Sequence, residues 1–205
     1  MYNLGMVDDD QQQFSTFKRR FRNINKEIAI TLVDNCETYQ EIYNWIIDKK
    51  IECLLVDHKL ANQYSFNGVE LVNYVNSKIP DLPCVILTSY TEDAESEKLV
   101  IKPLIFDKNL MGEKKDSEKL NNFINLVIHG VDVFRNRMEL NKAEYTNLLK
   151  NKEKLNAEEY TRLEELFHIL KSYGIIDEVS VLSLNDKFQN EIDKIINRLD
   201  KIIEK

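Results

Sequence analysis

The chain has 205 residues, 43% of them hydrophobic and 31% charged, with a net charge of −7 at pH 7. That is the composition of a folded chain with room for one ordinary domain and an appendage, not of a disordered one. The acidic balance argues against general affinity for nucleic acid, and no run approaches the ~18 apolar residues that span a bilayer. Acid stands near the N-terminus where a signal peptide carries base, so a cytoplasmic protein is expected. Cys36, Cys53 and Cys84 cannot all pair, and the last two sit in apolar runs, so reduced packing thiols are expected.

Apolar runs alternate with helical patterns up to about residue 130. Leu4–Val7 reads as a buried strand, and Phe14, Phe17 and Phe21 recur at helical spacing behind it. The β-branched run Ile28–Val33 is a second strand. The stretch ETYQEIYNWIIDKK follows, with Tyr39, Ile42, Trp45 and Ile46 on one helical face, more simply helix–sheet core than a ligand site. Ile51–Val56 is a third strand, ending in acid at Asp57. A helix is predicted over NGVELVNYVNSKIP, capped by Asn67 and closed by Pro80. The run CVILTS (84–89) is a fourth strand, and TEDAESEK a short acidic helix with Thr91 as its cap. VIKPLIF (100–106) is a fifth strand, placed at a sheet edge by Pro103.

Continuously apolar strands are buried on both faces, and their alternation with helices implies a doubly wound five-stranded parallel sheet. Ligands bind such sheets beyond the carboxyl ends of the strands. The residues there are Asp8 and Asp9, Asp57, Thr88 and Ser89, and Lys108. Hard divalent cations such as Mg²⁺ take oxygen ligands and keep several waters, so two or three carboxylates suffice. A lysine and a hydroxyl beside them suit an incoming phosphoryl group. Asp10 fits a helix cap better than a ligand, and His58 fits a loop residue with no assigned role.

The pieces MVDDD, CLLVDHKL, GVELV, CVILTS and IFDK, in this order and strand context, resemble the receiver domain of two-component response regulators. The resemblance covers roughly residues 1–130 and implies the flavodoxin-like fold. It implies Mg²⁺ held by Asp8, Asp9, Asp57 and the backbone carbonyl of Lys59. Asp57 is then the phosphoacceptor, Thr88 the hydroxyl partner of the phosphoryl oxygens and Lys108 the lysine that pairs with Asp57. A histidine kinase or other phosphodonor follows as partner, and no enzymatic activity beyond self-catalysed transfer to Asp57 and hydrolysis from it.

The chain departs from the family at several points. Leu60-Ala61 replaces Met-Pro after the acceptor, and Gly68 comes about three residues late. Asn109 replaces proline after the lysine. Ile105 stands where the family places a rotating aromatic ring. Lys102 is a rival to Lys108 but lies close to Thr88 in sequence, so Lys108 is preferred.

From SEKLNNFINLVIHGVDVFRNRMEL onward the pattern is helical. Residues 131–205 are expected to form a helical extension following a domain over 1–130. A second helix spans NAEEYTRLEELFHILKSYG, with a capping box of Asn156 and Glu159 and a stop at Gly174. A third begins near Ser183, and its residues Phe188, Ile192, Ile195, Leu199 and Ile202 form a short heptad seam. That seam is buried within the extension itself, in a homodimer, or against a protein partner. Residues 141–205 carry 11 Lys+Arg against 13 Asp+Glu, which disfavours a basic DNA-reading helix. The expected function is a phosphoacceptor receiver acting through protein contacts of its tail. The alternative is a pseudo-receiver scaffold or adaptor that is never phosphorylated.

Overall fold

The computed structural model describes residues 1–60, 63–101, 104–112 and 117–176. The chain divides into two compact units, Met1–Ala143 and Glu144–Lys205. The first unit contains β1 (Tyr2–Val7), α1 (Gln11–Ile24), β2 (Ile28–Leu32), α2 (Tyr39–Asp48), β3 (Cys53–Asp57), α3 (Gly68–Lys78), β4 (Cys84–Thr88), α4 (Thr91–Ser96) and β5 (Ile105–Asp107). Helix α5 (Glu118–Lys150) begins in this unit and continues into the second, where α6 (Ala157–Ser172) follows.

All strand pairs are parallel, in the order β2-β1-β3-β4-β5, which is the flavodoxin-like doubly wound order. Strands β3 and β4 are buried at every position because helices cover both faces. Alternate strand residues Leu4, Met6, Cys53, Leu55, Val85 and Leu87 pack with Phe17 and Phe21 of α1 and Leu120, Phe123 and Val127 of α5. Phe21 meets Phe123 edge-on, with ring centroids 5.9 Å apart. On the other face, a Cβ on Gly5 would press on Trp45 of α2, so only glycine lets that indole lie against β1.

Sequence punctuation acts where it was expected to. Asp10 caps α1, its carboxylate accepting from the amides of Gln12 and Gln13. Asn67, the expected cap of α3, forms a complete capping box with Glu70, and Thr38, not among the expected caps, does the same with Glu41 on α2. Three details differ. Position Tyr90, not Thr91, stands at the cap of α4 and makes no side-chain cap bond; Thr91 is already the first helical residue. Strand β5 is only Ile105–Asp107, at the sheet edge, and Lys102 and Pro103 lie outside the described residues. Helix α5 runs ten residues past the predicted stretch ending at Leu140, because no breaker occurs before Lys150.

The second unit has its own small core of Tyr145, Leu163, Leu166, Phe167 and Leu170, flanked by Leu148, Leu155, Ile175 and Ile176. The capping box of Asn156 and Glu159 opens α6. Gly174, at φ 69°, closes it: its amide bonds Lys171 O and that of Ile175 bonds Leu170 O, the paired bonds of a left-handed helix stop. Arg162 grips Glu144 through two bonds of 3.0 and 2.9 Å. The seam from Phe188 to Ile202 lies outside the described residues.

Candidate functional site

Parallel register fixes the site before any side chain is considered. Val7 is level with Val56, so Asp8 comes level with Asp57. Asp57 pairs with Leu87, placing Thr88 one step beyond, and Thr88 pairs with Asp107, which precedes Lys108. Residues a hundred positions apart in sequence thereby converge at the carboxyl edge of β1, β3, β4 and β5.

There the Lys108 ammonium lies 2.8 Å from Asp57 Oδ2 and 3.2 Å from Asp8 Oδ2. All three side chains are at most one-tenth exposed, so these are sheltered ion pairs and not surface contacts. One carboxylate oxygen each from Asp8, Asp9 and Asp57 falls within a span of 4.8 Å, a group able to hold a metal ion. Burial pushes the Asp8 carboxyl above its ordinary range, against the pull of the Asp10 amide and the Lys108 charge. The Asp10 amide donates to Asp8 Oδ1 at 2.9 Å, and the Lys59 amide to Asp57 Oδ1 at 3.3 Å. Both carboxylates are thus aimed by their own loops.

Thr88 is buried, and its hydroxyl accepts from the Tyr90 amide at 2.9 Å, so it is turned back on its own loop. The Lys59 side chain is exposed, with Nζ 3.7 Å from the centroid of the Tyr90 ring. Ile105 is buried in β5, and the ring of that strand, Phe106, packs against Phe123 of α5 with centroids 4.7 Å apart.

The lengthened loop after β3 is filled from inside. Leu60, Tyr64 and Phe66 are buried, Phe66 stacks on Tyr39 at 4.1 Å, and Tyr39 stacks on Tyr74 at 5.1 Å. Tyr64 is pushed up to about 12 by burial, with Cys36, Asp9 and Asp34 adding to the rise. Gly68 ends the loop. Its amide donates to His58 O at 2.9 Å, and a Cβ there would collide with the Asp57 carbonyl oxygen.

Two side chains without an expected role belong to this environment. His58 is buried instead of lying open in a loop, since its amide extends the β3–β4 ladder to Leu87 O. Its Nε2 lies 2.8 Å from Glu97 Oε1, and Glu97 Oε2 accepts from Asn67 Nδ2 at 3.2 Å. Nothing in the local sequence signals Glu97, which lies 39 and 30 positions from these partners.

No protein-family model matches the chain, and no curated protein matches it. Solved structures to which it is similar include a two-component transcriptional regulator AraC from Clostridium phytofermentans ISDg, at 19% identity over 66% of this chain and 98% of that one, TM-score 0.47. NtrX from Brucella abortus is similar at 13% identity over 71% of this chain and 30% of that one, TM-score 0.47. The RcsB response regulator of Salmonella typhimurium is similar at 11% identity over 91% of this chain and 100% of that one, TM-score 0.43. The strand order is the flavodoxin-like one, and Asp8, Asp9, Asp57 and Lys108 converge on its carboxyl edge. The chain is a flavodoxin-like, doubly wound five-stranded domain followed by a helical extension.

Proposed function

We propose that this chain is a phosphoacceptor receiver of a two-component signalling pathway, with Asp57 taking the phosphoryl group and the helical tail acting by protein contact. The observation that carries this reading is the Lys108 ammonium bridging Asp57 and Asp8 beside Asp9. Structural acids on a surface need no sheltered lysine between them.

The donor set fits Mg²⁺: carboxylate oxygens within 4.8 Å of one another are what a hard cation with several retained waters takes. Asp8, Asp9 and Asp57 would hold it, together with the Lys59 backbone carbonyl. Bound there, the ion offsets charge on the transferred group.

Asp57 is the nucleophile. A carboxylate oxygen attacks phosphorus in line, a new O–P bond forms, and the P–N bond of a phosphohistidine donor breaks with its electron pair going to the imidazole. With acetyl phosphate the P–O bond breaks and acetate leaves. The product is an acyl phosphate on Asp57. Lys108 already points at the reacting carboxylate and stays to offset the added charge. The Thr88 hydroxyl then leaves the Tyr90 amide and donates to a phosphoryl oxygen. Beyond this self-catalysed transfer and its hydrolysis no enzymatic activity is assigned. A cytoplasmic setting, a histidine kinase or other phosphodonor, and a protein partner or second copy on the tail accompany this role.

Incubation with acetyl phosphate and Mg²⁺, read by intact mass, tests it. One phosphoryl group gained by wild type and none by Asp57→Asn is the expected result. No gain by wild type supports the unphosphorylated scaffold, which the buried Ile105 at the position of the usual rotating ring favours.

A further inference from the structure

Three features tie α4 to the loop that follows Asp57. Glu97, the residue that closes α4, reaches His58 Nε2 at 2.8 Å and Asn67 Nδ2 at 3.2 Å. These two partners are the ends of the loop: His58 follows Asp57 directly, and Asn67 caps α3 while Gly68 returns its amide to His58 O. Farther out, Lys59 Nζ lies over the Tyr90 ring and 3.7 Å from Asp93 Oδ2. A carboxylate only accepts, so Nε2 donates, and His58 Nδ1 is left buried with no partner. A buried ring nitrogen without a partner is costly, so the imidazole is held in place by its bond to Glu97 alone among the polar contacts of its ring.

We propose that Glu97 is a positioning residue that makes the acceptor loop and α4 one unit, so that a change at Asp57 reaches α4 through His58 and Asn67. The route replaces the rotating ring that Ile105 does not supply. When Thr88 turns to a phosphoryl oxygen, the Tyr90 amide loses its acceptor and the start of α4 is released. The Glu97 end stays pinned to the loop, and α4 pivots about it. The signal rests on the phosphoacceptor role of Asp57; the tether does not.

Amide hydrogen exchange on the full chain tests both, in wild type, Glu97→Ala, Glu97→Gln and Glu97→Met. Glu97 is exposed enough at 27% for its loss to leave the core folded. Without acetyl phosphate, Glu97→Ala is expected to speed exchange over residues 91–98 by about tenfold, because two hydrogen bonds to a charged group are lost. Core amides of β3 keep their wild-type rates. Glu97→Gln keeps one acceptor oxygen and restores part of the protection, whereas Glu97→Met, of similar size but without an acceptor, is expected to exchange as fast as Glu97→Ala. Protection restored by Glu97→Met overturns the hydrogen-bonded tether. Wild-type rates over 91–98 in Glu97→Ala overturn the tether. With acetyl phosphate and Mg²⁺, wild type changes its exchange over 91–98, and Glu97→Ala takes the phosphoryl group by intact mass but loses that change. An undiminished change in Glu97→Ala overturns the route. Absence of phosphoryl gain in wild type sinks the phosphoacceptor role and the signal with it, while the first comparison still decides the tether.

Discussion

Gly68→Ala isolates one atom at the point where α3 meets the acceptor strand. The added Cβ would overlap the Asp57 carbonyl oxygen and stand 2.9 Å from Val56 Cγ1. The first obstacle is backbone, so no rotamer change relieves it. Strand β3 lies between β1 and β4 and has ladder bonds on both sides, so Asp57 cannot retreat. The start of α3 must move instead, stretching the 2.9 Å bond from the Gly68 amide to His58 O. Overpacking of this kind costs about 1–3 kcal/mol, and a lost buried hydrogen bond about 1 more. Alanine's helix propensity returns at most about 1 kcal/mol. The net expectation is a loss of about 1–4 kcal/mol, measured as a lower urea midpoint at unchanged slope. Phosphoryl uptake should fall as well, since the displaced carbonyl belongs to the acceptor itself. A midpoint within experimental error of wild type would refute the steric reasoning.

Lys108→Met leaves Asp8 and Asp57 sheltered without their cation and is expected to destabilise by about 3–5 kcal/mol in urea unfolding, with millimolar Mg²⁺ returning part of the loss. Lys50 sits at φ 51° at the stop of α2, where its amide bonds Ile47 O and the next amide bonds Ile46 O. Lys50→Gly is therefore expected to raise stability by about 0.5–1 kcal/mol, and a lower melting temperature would contradict it. Tyr64 is held protonated in the fold up to about 12, above its ordinary value of 10.0, so the folded chain keeps a proton that the unfolded chain releases. Stability should accordingly fall as pH rises from 10 to 12, and Tyr64→Phe should flatten that fall in alkaline unfolding titrations.

The sheet was legible because parallel strands covered on both faces are continuous apolar runs, and these runs end in the residues that matter. Asp8, Asp57 and Lys108 could be read as one site because strand ends in such a sheet converge whatever their separation in sequence. Features that depend on contact between loops were not legible. Glu97 resembles any acid of a solvated helix, and His58 any polar loop residue, until the fold brings them to 2.8 Å. Loop length signalled remodelling after Asp57 but not its means, the inward turn of Leu60, Tyr64 and Phe66. The far end of α5 escaped because residues 141–150 switch their apolar side chains from the sheet to a separate core, at Tyr145 and Leu148.

Three adjacent aspartates at the end of β1 are explained by a division of labour. Asp10 leaves the site to cap α1 through two amides. Asp8 and Asp9 stay and meet Asp57. Like charges ~4 Å apart repel by about 4 kcal/mol at an effective dielectric near 20, so gathering three carboxylates is costly and a nearby cation relieves it. Lys108 supplies one positive charge and touches two of the three, which leaves the cluster with an excess of about two negative charges. A divalent ion held by the three carboxylates would balance that excess. A phosphoryl group on Asp57 would add about 1.5–2 negative charges, and neither the lysine nor such an ion alone could balance both. Burial raises the Asp8 carboxyl, and the Asp10 amide and the Lys108 charge oppose that rise, so the lysine already present offsets part of the cost of sheltering this acid.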